Sequence, residues 1–359
     1  MGAAARMPLW TWAFPLLGWA VLLATPVIGG GGLAATIAGA ALLATVFVAV
    51  YHAEVIAHRV GEPFGTLVLA VAVAIIETAL IVSVTISAPA ENAGLTRDAV
   101  YAAVMIVCGG IVGACLLIGG ARYHEQGFQV QGAGAALAVL TALTVLALIL
   151  PNYAARELGP LYSTPQLVFA GLVSLVLYGS FVFVQTARHR DYFLPLEPAD
   201  EVANAPPSGR MAALSAALLI VCLVAVVGLA KTLTPTVELG VARLGVPKAV
   251  VGIIIAALVL LPEGLAALRA ARANQLQTSL NLALGSALAT IGLTIPVVAA
   301  VSIALGQPLE LGLDVKDQVL LALMLLVSAI TLATGRTTIL QGIVHLVIFA
   351  VFLFFALVP

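Results

Sequence analysis

The chain of 359 residues is 62% apolar and only 9% charged, with a net charge of -1 and a mean hydropathy of +1.17. A soluble domain carries about 25% charged residues, so this composition excludes a water-soluble globular protein and indicates an integral membrane protein. The near-zero net charge gives no reason to expect a nucleic-acid partner, and the three cysteines lie in apolar runs without metal-binding spacing.

Apolar runs along the chain predict an all-α membrane protein with eleven transmembrane helices. A hydrocarbon core of ~30 Å needs roughly 20 apolar residues per helix. Runs of this kind lie near residues 8–25, 32–56, 64–88, 98–120, 134–155, 165–186, 211–230, 247–268, 279–305, 317–334 and 338–357.

One long polar stretch, RHRDYFLPLEPADEVANAPPSGR, interrupts the series of predicted helices. It predicts a linker over residues 187–210, between five-helix segments at 32–186 and 211–359. Residues 1–31 then form an extra N-terminal transmembrane helix. If the N-terminus and the linker are cytoplasmic, nine of the fifteen lysines and arginines fall on the cytoplasmic side, in agreement with the positive-inside rule.

The two five-helix segments contain a repeated motif. AEVIAHRVGEP in the first segment resembles VELGVARLGVP in the second. The matched residues, at a constant offset of 184, are Glu54, Arg59, Gly61 and Pro63 with Glu238, Arg243, Gly245 and Pro247. The two motifs enter the membrane from opposite sides, so the repeats are inverted. Inverted repeats are typical of secondary transporters, whose sites lie near the bilayer midplane.

Two glutamates are the only acidic residues deep inside otherwise uncharged runs. Glu77 lies in AVAIIETALIV, and Glu263 lies in LVLLPEGLAAL. At ~1.5 Å per residue, Glu77 lies ~21 Å from Pro63 and Glu263 lies ~24 Å from Pro247, counted from opposite faces. Both are therefore predicted near the midplane, where an inverted two-fold axis brings them together.

The cost of placing charge in the membrane indicates what these glutamates do. A charged acid at a helix centre costs about 2.5–3.5 kcal/mol on insertion scales, and two ionised neighbours also repel each other. A bound cation, or a proton on each carboxyl group, removes that cost. We therefore expect Glu77 and Glu263 to bind a cation and protons in turn. A protonated, hydrogen-bonded structural role is the alternative.

Residues around the second glutamate extend the candidate site. Asn281, Gly285 and Ser286 have a spacing that places them on neighbouring faces of the next helix. Pro262 and Gly264 flank the glutamate and predict an interrupted helix with free carbonyl oxygens for a cation, an ordinary kink being the alternative.

Four residues are candidates for accessory positions on the pathway. Glu54 and Glu238, which match in the repeat, either pair with the nearby arginines or attract cations and protons. His52 is either a proton relay or an interfacial packing residue. Ser83 either lines an exit path toward the outside or bonds its own backbone.

Two long stretches resemble a known family. GEPFGTLVLAVAVAIIETALIVS and LLPEGLAALRAARANQLQTSLNLALGSALATIGLTIP closely resemble the signature repeats of the bacterial ChaA-type calcium/proton antiporters, in the cation-exchanger branch of the calcium/cation antiporter superfamily. The resemblance implies one extra helix followed by two inverted five-helix repeats, in a bacterial cytoplasmic membrane. It places the paired acidic cation ligands on Glu77 and Glu263, and the polar helix on Gly285 and Ser286.

The chain departs from the family at two positions. Many relatives carry Gly-Asn-Ala-x-Glu around each acid, whereas Ala74 and Leu260 occupy the asparagine positions here. Calcium prefers six to eight oxygen ligands, so the loss of two amides leaves sodium or potassium open beside calcium. The expected partners are these cations, protons and the lipid bilayer. No cofactor is expected beyond the transported ions, and a homo-oligomer stays open.

Two other classes of function compete with exchange. An intramembrane enzyme needs paired aspartates or a serine with a base at membrane depth, and the sequence offers neither in recognisable context. A passive cation channel must release its ions easily, whereas two carboxylates retain them. The sequence therefore favours a cation/proton antiporter that works by alternating access around the two glutamates.

Overall fold

Almost all of the described chain is helical, as the composition predicts. In the computed structural model the described residues are 7–28, 32–61, 64–87, 93–154, 160–195, 206–243, 245 and 247–358. The long helices are α1 (Trp10–Ile28), α2 (Gly32–Val60), α3 (Phe64–Ser87), α4 (Leu95–Tyr123), α5 (Val130–Ile149), α6 (Thr164–Arg188), α7 (Gly209–Arg243), α8 (Ala249–Arg272), α9 (Leu276–Leu305), α10 (Val315–Leu332) and α11 (Ile339–Leu357). Helices suit a membrane because each satisfies its backbone hydrogen bonds internally.

The described helices have the length and hydropathy of a multi-pass membrane protein. Nine of them are long and apolar enough to cross a bilayer in the described part of the chain. Shorter apolar runs, Trp10–Thr25 and Ala70–Ser83, belong to α1 and α3. The all-α membrane class is confirmed, and the number of eleven spans is roughly consistent with these helices.

The largest error among the predicted boundaries is at the end of α7. The apolar run of α7 was expected to end near residue 230, but the helix continues through Lys231 and Pro235 to Arg243. Hydropathy falls at Lys231 while helical hydrogen bonding does not, because a proline removes only one donor from the ladder.

The glycines matched in the repeat have the same backbone conformation. Gly61 follows α2 with φ 79°, and Gly245 follows α7 with φ 68°. Left-handed φ values favour glycine, which has no Cβ to clash with the backbone. The repeated glycine therefore ends the first helix of each half.

Two further pairs of local structures recur in the two halves. Strand β1 (Gln126–Gly127) pairs with β2 (Arg336–Thr337), and Leu161 forms an isolated bridge with Glu310. Gln126 and Glu310 are separated by the same 184 residues as the repeat motifs. In addition, α6 and α11 both begin with a capping box, Ser163–Gln166 and Thr338–Gln341 respectively.

The packing of the central helices follows the same pattern. Helix α3 packs along α9, and α8 packs along α4. Helix α6 also packs on α9, and α11 packs on α4. The largest apolar core surrounds α4 and α9, so side chains from α3, α6, α8 and α9 meet in the interior.

Candidate cation site

Glu77 and Glu263 are the only acidic side chains that are buried among the described residues. Glu77 is 0% exposed on α3, and Glu263 is 3% exposed on α8. The two helices that carry these acids, α3 and α8, pack against each other. No lysine or arginine of the described chain lies within ion-pair distance of either acid. Their environment therefore leaves a negative charge uncompensated.

A group of threonines surrounds Glu77. The Thr290 hydroxyl of α9 donates a hydrogen bond to Glu77 Oε2, while Oε1 has no partner among the described residues. Beside this pair, the Thr78 and Thr294 hydroxyls lie 2.8 Å apart across the α3–α9 contact. Sequence reasoning missed Thr78 and Thr294. Their signal was the four-residue step from Thr290 to Thr294, which places both hydroxyls on one face of α9.

A small cavity, here called the site cavity, adjoins Glu263. Its lining includes Ala70 of α3, Gln185 of α6, and Gly285 and Ser286 of α9. The space for the centre of a water-sized molecule is about 20 Å³, which is room for one water or one ion. Neither carboxylate oxygen of Glu263 has a hydrogen-bond partner in the described chain, and neither does the Ser286 hydroxyl. Buried polar atoms normally have a hydrogen-bond partner, so these atoms are candidates to bind a water or an ion.

The helix around Glu263 is continuous, contrary to the expected interruption. Pro262 lies inside α8, and the helix runs through Gly264 without a break. Pro262 has no N–H, so the carbonyl oxygen of Leu258, four residues earlier, loses its usual donor. The proline therefore frees a single acceptor while the helix stays whole.

Asn281 borders the site cavity but its amide is already bonded. Its Nδ2 donates to the Phe193 carbonyl at 2.6 Å, and its Oδ1 accepts from Gln277 Nε2 at 2.9 Å. Phe193 lies in the linker that follows α6. Asn281 thus connects the linker to α9 beside the cavity.

A larger cavity, here called the linker-side vestibule, opens next to the site cavity. It has a volume of about 450 Å³, and Glu54, His58 and Pro207 are among the residues that line it. Leu282 of α9 lines both cavities. Glu54 is exposed to this vestibule and makes no ion pair in the described part of the chain. The two cavities therefore adjoin at Leu282.

Two other accessory candidates, His52 and Ser83, line neither of the two cavities. His52 is buried between helices, with Nδ1 3.3 Å from Ser215 Oγ and Nε2 3.3 Å from the Thr11 carbonyl oxygen. Ser83 is half-buried on α3 beyond Glu77. The side chain of Glu238 lies outside the described residues.

The glycines of α4 serve close helix packing. A Cβ at Gly113 would lie 2.9 Å from His345 Cβ, and one at Gly120 would lie 2.5 Å from the Ile339 nitrogen. Both neighbours belong to α11. These contacts favour a role in helix packing for both glycines.

A multi-pass helical bundle with two buried acids, one of which borders an ion-sized cavity, belongs to the class of membrane ion transporters. Residues 29–187 and 214–358 match the family described as "Sodium/calcium exchanger protein", and the chain belongs to that family.

Similar proteins extend over most of the chain. The y4hA protein of Sinorhizobium fredii is 49% identical over 363 residues, which cover 99% of this chain and 98% of that protein. The sodium-potassium/proton antiporter ChaA of Escherichia coli is 36% identical over 316 residues, 87% of this chain and 85% of that protein. The crystal structure of the H+/Ca2+ exchanger CAX superposes with a TM-score of 0.73 at 14% identity, over 96% of this chain and 87% of that one. At 14% identity, the similarity to CAX concerns the fold alone.

Proposed function

We propose that the protein exchanges a cation for protons across the membrane, with Glu77 and Glu263 binding the cation or protons in turn. The observation that carries this proposal is the environment of Glu263. Its carboxylate is buried, has no cation or hydrogen-bond donor among the described residues, and borders a cavity of one-ion size.

The free-energy cost of the two charged carboxyl groups couples the movement of the cation to the movement of protons. A charged acid at membrane depth costs about 2.5–3.5 kcal/mol, and the mutual repulsion of two carboxylates adds to that. Cation binding or protonation relieves both penalties. If the protein changes its access only in these two neutral or neutralised states, each cation that crosses one way is matched by protons that cross the other way.

Alternating access supplies the movement. The matched contacts of α3 with α9 and of α8 with α4 are those expected of two inverted repeats, which span residues 32–186 and 211–359 in this proposal. The linker-side vestibule reaches Leu282 from the side of Pro207, so the described state is open toward the linker. With the linker in the cytoplasm of a bacterial inner membrane, this state faces inward.

Calcium is the first candidate cation, as the calcium exchangers of this fold support. Sodium or potassium is the second candidate, for two reasons. The relative ChaA is named a sodium-potassium/proton antiporter. Moreover, Ala74 and Leu260 are buried apolar residues within one turn of Glu77 and Glu263, so they add no side-chain oxygen for calcium.

Proton flux in liposomes tests the exchange. The purified protein is reconstituted, a pH gradient is imposed, and calcium, sodium or potassium is added separately. We expect at least one cation to dissipate the gradient in the wild type. Glu77→Gln and Glu263→Gln should abolish the signal, because an amide keeps the shape but cannot exchange a proton for a cation.

Glu125→Gln is the matched control, because Glu125 is an exposed acid that pairs with Arg336 at 3.5 Å, away from the site. It should exchange like the wild type. Normal exchange by either site variant would assign that glutamate a structural role and refute the proposal. Cation flux without proton counter-flux would make the protein a channel.

A further inference from the structure

A glutamine of α6 shares the site cavity with Glu263. Gln185 is 8% exposed and lines the cavity. Its side-chain amide makes no hydrogen bond to any described residue. A buried amide without a partner costs about 1–3 kcal/mol, so a group of this kind normally has a water or an ion as its partner.

The packing of α6 on α9 brings Gln185 to this position. Gly292 of α9 lies against Tyr178 of α6, where a Cβ would be only 2.7 Å from Tyr178 Cβ. Tyr178 also lines the site cavity, seven residues before Gln185. Seven residues are close to two helical turns, so both side chains lie on the same side of α6.

The local backbone of α6 changes at Gln185. Residues Val184–Arg188 form a π-helical segment, with the His189 N–H bonded to the Val184 carbonyl oxygen at 2.9 Å. A π turn widens the helix and redirects the side chains that follow, and such turns are frequent at functional sites. The amide of Gln185 lies within this segment.

We propose that Gln185 is a ligand of the transported cation and helps to set which cation the protein prefers. This proposal rests on the proposed function. Three buried side-chain oxygens without hydrogen-bond partners, two of Glu263 and one of Ser286, lie at one cavity, and the Gln185 side chain lines the same cavity. They come from three helices, and the cavity has room for one ion.

The chemistry of an amide defines its role. An amide oxygen is a neutral ligand that takes up no proton, so Gln185 contributes to cation binding and leaves the proton stoichiometry to the carboxyl groups. Neutral and anionic oxygens differ in how strongly they favour divalent over monovalent ions. The identity of residue 185 therefore tunes the choice among calcium, sodium and potassium.

The test compares Gln185→Met and Gln185→Glu with the wild type in two assays on the purified full chain. Proton flux in liposomes gives the half-saturating concentration of calcium, sodium and potassium. The cation-dependent shift of the melting temperature in detergent gives binding without transport. Thr186→Val is the matched control, because Thr186 lies in the same π segment and bonds the Val182 carbonyl oxygen rather than lining the cavity.

We expect Gln185→Met to raise the half-saturating concentration of the transported cation about tenfold or more, as expected for the loss of a ligand of a charged group. Gln185→Glu should improve calcium relative to sodium and potassium, since it adds a negative oxygen at the same place. The half-saturating concentrations of the control should stay within about twofold of those of the wild type, well below a tenfold change.

Unchanged half-saturation for every cation in both Gln185 variants would overturn the proposal. If Gln185→Met does not fold, Gln185→Glu decides: an altered order of cations supports a ligand, and an unaltered order excludes one. Glu263→Gln is measured in parallel. Its loss of exchange beside normal Gln185 variants refutes this inference alone, whereas exchange by Glu263→Gln refutes the proposed function itself.

Discussion

We predict that the Leu282 side chain is a measurable barrier to passage between the linker-side vestibule and the site cavity. A cysteine at Gly285 is a suitable reporter of this barrier, because no heavy atom lies within 4 Å of the position of its Cβ. The new thiol therefore enters the site cavity without displacing a neighbour. Background labelling is expected to be low, since the three native cysteines are all buried.

The size of the barrier follows from the leucine side chain. Leu282→Ala removes three carbon groups, each worth about 0.8 kcal/mol when fully buried. Because Leu282 is only partly buried, the barrier should fall by about 1–2 kcal/mol. At ~1.4 kcal/mol per factor of ten, a water-soluble reagent should modify Gly285→Cys roughly 5- to 30-fold faster in the Leu282→Ala background.

The assay is the rate of modification by a membrane-impermeant maleimide, added to either face of oriented vesicles. Labelling should be faster from the face that carries the linker. Leu293→Ala provides the control, because Leu293 is another partly buried leucine of α9 that lines neither cavity. Equal rates with and without Leu282, or labelling only from the opposite face, would refute the assigned barrier.

Three other substitutions test the site and its packing. Thr290→Val removes the described hydrogen-bond donor to Glu77. Cation binding should therefore weaken by ~1.5–3 kcal/mol, the contribution of a hydrogen bond to a charged group, which the flux assay detects as a higher half-saturating concentration. Gly342→Ala forces a methyl group onto the backbone of α4 and should destabilise the bundle by ~1–3 kcal/mol, read as a lower melting temperature. Ser286→Ala and Gln185→Met should be non-additive in a double-mutant cycle, with a coupling of at least ~0.5 kcal/mol, because both side chains line the cavity in which we propose that one ion binds.

Each of these outcomes has a control. Thr290→Ser keeps the hydroxyl and should exchange like the wild type; equal loss in both variants would assign the effect to packing. Gly134→Ala, where a Cβ meets no atom within 4 Å, should leave the melting temperature nearly unchanged. In the cycle, Ser328→Ala replaces Ser286→Ala as a buried serine away from the cavity, and an equal coupling there would remove the argument for a shared ion.

The helices and the two acids could be predicted from the sequence because their signals are local. A run of apolar residues has a length that can be compared with a bilayer, and a glutamate inside such a run is conspicuous whatever lies around it. The glycines with left-handed backbone conformation could also be predicted from the sequence. Gly61 and Gly245 follow equivalent helices, and the repeat alone aligns them.

The lining of the cavity could not be predicted because it depends on contacts between distant helices. Gln185 lies 78 residues before Glu263, and no periodicity in α6 indicates that this helix reaches the site. The approach depends on the absence of a side chain at Gly292. The expected break at Pro262 failed for a related reason, since a proline removes one hydrogen bond and the neighbouring helices hold the rest of α8 in place.

The surroundings of Glu77 and Glu263 differ, although each glutamate lies in the helix that follows the repeated motif. Thr290 provides a hydroxyl donor for Glu77, whereas Glu263 has no donor among the described residues and borders the site cavity. In the proposed mechanism a cation that enters from the linker-side vestibule reaches Glu263 first, because Glu263 borders the adjoining site cavity. Ser286 and Thr290 lie one turn apart on α9, so this helix presents one hydroxyl toward each acid's surroundings. The asymmetry of the two acids thus agrees with the proposed entry of the cation from the linker side.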